Sequence, residues 1–383
     1  MRSLYLRLCT LAVFRRVLEK PALARLLDFC RAEALSEQLS AYSEFVLSVL
    51  DTGKPLSAVI ADYLFSDDNP YIRGVAHGAD ISPQLRSSAQ RELEILNEVA
   101  ALSPEDFTTR DDISRFPNQP IDLPSMYDQR LADISKYGYG IFSLYPMLHL
   151  TDSGELAPVN GADSISLSHF IGYSAEREQV VANTRKLLEG RPASNVLLVG
   201  DAGTGKSSTV KAVANHFFAD GLRLIELRRD QLCHLHRVMD AVRGNPLKFI
   251  IFIDDLSFDE RDRDFSLLKA SLEGSASCGA ENAVIYATSN RRHIVRERFE
   301  DREGDEIHRN DTIEESLSLF ERFGLVVRFG KPNKGEYLEI ARKLAVRYGI
   351  PVDSDFDTRA EAFALRRGSR SARCAEQFID SIL

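Results

Sequence analysis

Residues 195–217 read NVLLVGDAGTGKSSTVKAVANHF. An apolar run with the character of a buried strand stops at a glycine-rich turn, and a helical pattern opens directly behind it. The turn, Gly200-Asp201-Ala202-Gly203-Thr204-Gly205-Lys206-Ser207, satisfies GxxxxGK[ST] in full, with Ser208 continuing into the helix. Each part of that pattern has a physical purpose. Glycines let consecutive backbone N–H groups turn inward around phosphate oxygens, and the helix that follows adds the positive end of its dipole. The Lys206 ammonium can reach the β and γ phosphates, and the Ser207 hydroxyl can ligate Mg²⁺. The alternative, a strand–helix turn that holds nothing, leaves this spacing unexplained.

Two later stretches say what the phosphate is for. FIIFIDDLSF, residues 249–258, is a buried strand that ends in Asp254 and Asp255. An acid at the C-terminal edge of a parallel sheet lies where ligands bind in such folds. Asp254 is read as holding Mg²⁺, partly through water, because that ion keeps several waters and takes few carboxylates. Asp255 is read as the base or water-positioning group, against the plainer view that the pair caps the strand. AVIYATSNRRH, residues 283–293, ends a further apolar strand in Thr288, Ser289 and Asn290. A neutral amide there can orient an attacking water without repelling the γ-phosphate.

Outward from this centre, NVLLV, LRLIEL, KFIIFID, AVIYATS and GLVVRF alternate with helical patterns, which indicates a parallel sheet covered on both faces. Residues 1 to about 100 read mostly as helices. The stretch 104–165 reads as irregular, punctuated by its prolines and glycines. From Gly335 onward the pattern is helical again. The expected organisation is a mostly helical N-terminal region over 1–165, an α/β nucleotide-binding core over 166–332 and a helical lid over 333–383.

Composition narrows the partners. Residues 1–165 carry 15 Lys and Arg against 23 Asp and Glu, within a net charge of −9 for the 383 residues. An acidic front half is a poor match for duplex DNA, whose phosphates call for a basic footprint. Arg366, Arg367, Arg370 and Arg373 form one basic run near the C-terminus and keep nucleic acid as the weaker reading. Five scattered cysteines without a CxxC pair argue against a disulfide framework or a zinc site. The His234-x-His236 pair has no further Cys or His nearby to complete a metal site. Arg7 interrupts the apolar start of the chain, no small-residue cleavage site follows, and no run is long enough to span a bilayer. The expectation is a cytoplasmic protein without a membrane segment.

The ordered set of phosphate loop, FIDD, ATSN, ERFG and a helical tail with GSRSAR resembles the AAA+ ATPases. The phrases GTGKSSTVKAV, FIIFIDDLSF, IYATSNRRHI and SLFERFGLVVRF are similar to those of the domain-of-unknown-function family eight-one-five, predicted ATP-binding proteins, over roughly residues 165–383. The resemblance implies an α/β P-loop fold of the AAA+ type with ATP and Mg²⁺ as cofactors. It also implies a homo-oligomer in which Arg322 of ERFG completes a neighbouring copy's site. Asn290 becomes the first sensor, and Arg373 or its competitor Arg370 the second sensor on the lid. Ile171, Gly172 and Tyr173 become part of the adenine pocket, against a plainer reading of Ile171 and Tyr173 as core contacts. The family pattern departs at Asp255, where most active AAA+ enzymes carry Glu; Asp259 and Glu260 follow closely as substitutes. The charged stretch 296–315 lies where a segment can face a partner subunit, and reads otherwise as a solvated loop.

Three activities follow as expectations. One is an oligomeric ATPase that remodels or loads an unidentified macromolecular partner. Another is a slow ATP-dependent switch or scaffold. The third is a loader of nucleic acid or helicase.

Overall fold

The computed structural model describes residues 1–107, 112–159, 161, 165–256, 268, 281–290 and 322–383. The chain divides into two units, Met1–Tyr145 with Asn245–Leu247, and Pro146–Gly244 with Lys248–Leu383. No helix among the described residues is long and apolar enough to cross a membrane.

The first unit is helical. Its longer helices are Pro21–Arg31, Leu35–Leu50, Leu56–Phe65, Pro83–Ala100 and Leu123–Ala132. Several starts follow from local chemistry. Pro83 sits in the first turn, where no partner for its missing N–H is needed, and the Ser82 hydroxyl accepts from the Leu85 N–H. The Asp122 side chain caps the Ser125 N–H in the same way. Apolar residues at helical spacing meet in one core that includes Phe14, Tyr42, Phe45, Leu96, Leu123 and Tyr127.

Ser57, Asp67, Asn69 and Glu92 are polar residues buried in this unit, and Glu92 has the most telling partners. Glu92 is 1% exposed. Its carboxylate accepts from the backbone N–H groups of Ala12 at 2.9 Å, Val13 at 3.0 Å and Phe14 at 3.0 Å. A buried carboxylate is costly unless such donors surround it. Here three main-chain donors of the N-terminal segment do so, and they fix that segment to the helix Pro83–Ala100.

The second unit is built on a seven-stranded sheet. Its strands are β1 (Met147–Leu150), β2 (Leu156–Pro158), β3 (Val196–Gly200), β4 (Leu222–Leu227), β5 (Lys248–Ile253), β6 (Ala283–Ser289) and β7 (Leu325–Phe329). Their order across the sheet is β2-β1-β4-β5-β6-β3-β7. Only β1 and β2 pair antiparallel; the other neighbouring pairs are parallel. The five apolar runs of the sequence thus form β3 to β7, with the phosphate-loop strand between β6 and β7. The hairpin β1–β2 lies in the stretch expected to be irregular. Its strands have four and three residues, too short for a period to emerge. The largely parallel sheet and the glycine-rich loop after β3 make this unit an α/β P-loop fold.

The helices Lys334–Arg347, Phe356–Arg367 and Ala372–Asp380 close the chain and share a core of their own around Tyr337, Phe356 and Phe378. Asn333 and Glu336 form a reciprocal capping box at the first of them.

Glu92→Gln replaces an acceptor oxygen by an amide that faces backbone donors, and is expected to cost about 2–3 kcal/mol. Glu98, on the same helix but exposed, bonds the Arg7 guanidinium at 2.6 Å. Glu98→Gln is expected to cost less than about 1 kcal/mol. Denaturant unfolding followed by far-ultraviolet circular dichroism compares the two; equal losses would contradict the assignment.

Candidate functional site

The site lies where the C-terminal ends of β3, β5 and β6 line up. Register places Leu198 beside Thr288 and Val199 beside Ser289, and Ile253 beside Ala287. The loops that leave these strands are therefore brought to one edge.

Gly200 ends β3 with φ at 154°, and a Cβ built there would stand 2.1 Å from the Phe329 carbonyl oxygen of β7. Only glycine allows the two strands to pair at this point. Gly203, at φ 78°, meets the lid: a Cβ there would be 3.0 Å from the Cβ of Arg373. The Thr204 hydroxyl donates to the Asp201 carbonyl at 2.9 Å and braces the turn.

Lys206 is 5% exposed. Its ammonium donates to the Gly200 and Asp201 carbonyls and to Asn290 Oδ1, each at 2.8 Å. All three donors are used, as a buried ammonium requires. Burial pulls the Lys206 pKa down, opposed by Asp201, Asp254 and Asp255 and reinforced by Arg373. The amide nitrogen of the same Asn290 donates to Asp255 Oδ1 at 2.7 Å. One side chain thus joins the lysine of the loop to the second acid after β5.

The first acid has a different set of partners. Asp254 Oδ1 accepts from the Ser207 hydroxyl at 2.6 Å, the Thr288 hydroxyl at 2.6 Å and the Asp255 N–H at 3.1 Å. The chain turns sharply here, since Asp255 has φ at 53°. Among the described residues only Tyr173 shares a positive φ without being glycine. Such backbone is uncommon for a side-chain-bearing residue and costs energy unless its surroundings hold it.

A hydroxyl and a carboxylate side by side suit Mg²⁺, a hard cation that takes oxygen ligands, few of them carboxylates. Ser207 and Asp254 would hold it. Among the described residues no cluster of three or more His, Cys, Asp or Glu could hold a metal ion, so a site built by protein ligands alone is not offered.

The lid residues separate. Arg370 reaches Glu361 through its Nε at 3.1 Å and through a second guanidinium nitrogen. The Arg373 N–H donates to the Gly203 carbonyl at 3.2 Å, and its side chain is exposed beside the loop. Of the two, Arg373 stands at the phosphate loop.

Ile171 packs against the lid core and Tyr173 against the sheet core, with Gly172 between them. The Tyr173 hydroxyl donates to the Gly330 carbonyl at 2.8 Å, just where β7 gives way to the lid. Arg347, on the first lid helix, donates to the carbonyls of Ser168, at 3.1 Å, and His169. The segment before the loop is held on both sides. Ile171 and Tyr173 are thus contacts of the lid core and of the sheet core respectively.

Arg322 is half-buried immediately before β7. Asp259, Glu260 and the charged stretch 296–315 lie outside the described residues. Two contributors escaped the sequence reading. Thr288 was visible as a strand-end residue without a role, and Arg347 carried no motif at all.

The family described as "Protein of unknown function (DUF815)" matches residues 144–383. The chain belongs to that family. The match spans the sheet unit and the lid of this DUF815 chain and leaves most of its first unit outside. Among curated proteins none matches. Among solved structures it is similar to the RuvB Holliday junction branch migration motor of Thermotoga maritima. Identity is 14% over 57% of this chain and 72% of that one, with a TM-score of 0.34. It is also similar to AMPPCP-bound DnaA from Aquifex aeolicus, at 19% identity over 57% and 64% of the two chains and a TM-score of 0.39. A replication initiator DnaA bound to AMPPCP and single-stranded DNA gives 17% over 57% and 64%, with a TM-score of 0.40. These likenesses are distant and concern the fold.

Gly200→Ala forces a Cβ against a main-chain oxygen. It is expected to lower the melting temperature and to weaken ATP binding together, as measured by differential scanning fluorimetry with and without ATP. A variant that matches wild type in both would show that β3 and β7 are not paired as described.

Proposed function

We propose that this protein binds Mg·ATP and hydrolyses it in an oligomer of its own copies, to remodel or load a macromolecular partner. The observation that carries the proposal is the pair of linked contacts at the sheet edge: Lys206 to Asn290 to Asp255, and Ser207 to Asp254. The loop from Gly200 to Ser208 would cradle the phosphates with its backbone N–H groups, and Lys206 would neutralise their charge. Asp255 would orient the attacking water, with Asn290 setting the direction of its carboxylate. When bound, the metal would stabilise charge that develops on the transferred phosphoryl group.

Arg322 would complete the site of a neighbouring copy. Arg373 would report the state of the phosphates to the lid, since its backbone already rests on Gly203. Ile171, Gly172 and Tyr173 would flank the adenine. Rigid-body movement of lid against core is the usual way such contacts are converted into work.

A second reading, a slow ATP-dependent switch, has its own observation. Asp255 is one methylene shorter than the Glu of most active AAA+ enzymes, and its carboxylate is engaged by Asn290. Small misplacements of a catalytic group are expensive.

Steady-state ATP hydrolysis against protein concentration tests the first reading. Specific activity is expected to rise with concentration. Lys206→Ala is expected to lose about a hundredfold or more in turnover. Arg322→Ala is expected to lose about a thousandfold without loss of ATP binding. Wild-type-like hydrolysis in Lys206→Ala would sink the site assignment. Asp255→Glu separates the readings: a rise in kcat at unchanged KM favours the switch, and a fall favours the hydrolase.

A further inference from the structure

We propose that Thr288 is a positioning residue of the ATP site, the template that holds the two adjacent acids just after β5 in different directions. The inference rests on the reading of Asp254 as metal-holding and Asp255 as water-orienting, and assigns the residue that makes the two roles compatible.

Consecutive residues at the end of a strand point to opposite faces, so Asp254 and Asp255 cannot both serve one site in regular extended backbone. The chain resolves this with the left-handed turn at Asp255, φ 53°. For a residue with a Cβ that conformation is unfavourable, so something must hold it. Thr288 contacts all three residues of the turn. Its hydroxyl donates to Asp254 Oδ1 at 2.6 Å and accepts from the Asp255 N–H at 2.9 Å. Its own carbonyl accepts from the Leu256 N–H at 2.7 Å.

The directions of these bonds are fixed by chemistry. A carboxylate oxygen can only accept, so the single hydroxyl proton goes to Asp254, and the lone pairs remain for the Asp255 N–H. Thr288 is 2% exposed, so water does not readily replace either bond. Its place is set by the sheet, opposite Leu198 two residues before the phosphate loop begins. The same hydroxyl therefore restrains the carboxylate that meets Ser207 and sets the backbone from which the Asp255 carboxylate reaches Asn290.

Valine has nearly the shape of threonine and neither the donor nor the acceptor; serine keeps both. Affinity for a fluorescent ATP analogue is measured with and without Mg²⁺ for wild type, Thr288→Val and Thr288→Ser, beside kcat and KM for ATP. Thr288→Val is expected to lose about tenfold or more of the Mg²⁺-dependent gain in affinity and of kcat, the range found when groups behind a metal ligand are removed. Its metal-free affinity stays at the wild-type value, and Thr288→Ser stays within about threefold of wild type in every measure.

Thr288→Val retaining both the Mg²⁺ dependence and kcat overturns the proposal. So does a loss of metal-free affinity that Thr288→Ser fails to restore, which would mark a general collapse of the strand end. Failure of the underlying ATP reading looks different: the wild type itself shows no Mg²⁺-dependent binding. Thr288 is then judged by amide hydrogen exchange at Asp255. The proposal requires exchange about tenfold faster in Thr288→Val than in wild type or Thr288→Ser, and equal rates overturn it.

Discussion

Three separate stretches of chain meet at one oxygen atom. Asp254 Oδ1 accepts from Ser207 behind the phosphate loop, from Thr288 near the end of β6 and from the N–H of its own successor. A carboxylate so engaged has little rotational freedom, and charge-assisted bonds of this kind are stronger than neutral ones. Their common acceptor sets the spacing of the loop helix, β5 and β6 at the edge where chemistry would occur.

That meeting depends on the sheet being parallel. Parallel strands send all their C-terminal ends to one side, and each crossover returns the chain beneath for the next pass. β3, β5 and β6 therefore deliver loop, acids and amide to the same edge although they are separated by tens of residues in sequence. The Gly200–Phe329 approach fixes the remaining neighbour, because β7 can lie against β3 only where no side chain intervenes. β7 in turn leads into the lid, so the order of strands also fixes where the lid helices begin.

Much of the second unit was legible in the sequence. The spacing of the phosphate loop is set by the size of a phosphate and leaves few alternatives, and a strand buried on both faces must be apolar throughout. LRLIEL and KFIIFID announced themselves for that reason. The β1–β2 hairpin did not, since short strands among prolines and glycines carry no period. The choice between Arg370 and Arg373 stayed open because both lie in one basic run. What separates their surroundings is Glu361, nine residues before Arg370, whose carboxylate accepts from Arg370 while Arg373 rests on the Gly203 carbonyl. The part played by Thr288 was out of reach, since it requires the left-handed turn at Asp255, and no residue type announces that turn. Glu92 shows the same limit in the first unit. Nothing in its surroundings in sequence distinguishes it from Glu94 or Glu98, yet it alone faces the backbone of residues 12–14.

The clamp between Arg347 and the chain ahead of the loop differs from the site contacts in what it recognises. Arg347 takes main-chain oxygens, at Ser168 and His169, and ignores the side chains that those positions carry. A lineage can therefore exchange Ser168 and His169 without disturbing the tie between that segment and the first lid helix. Arg347 has no such latitude. A planar fork grips two neighbouring carbonyls at once, and a lysine would grip them only as a point charge. Selection on this joint would fall on one codon at the end of the helix, while the segment it grips accumulates silent variety.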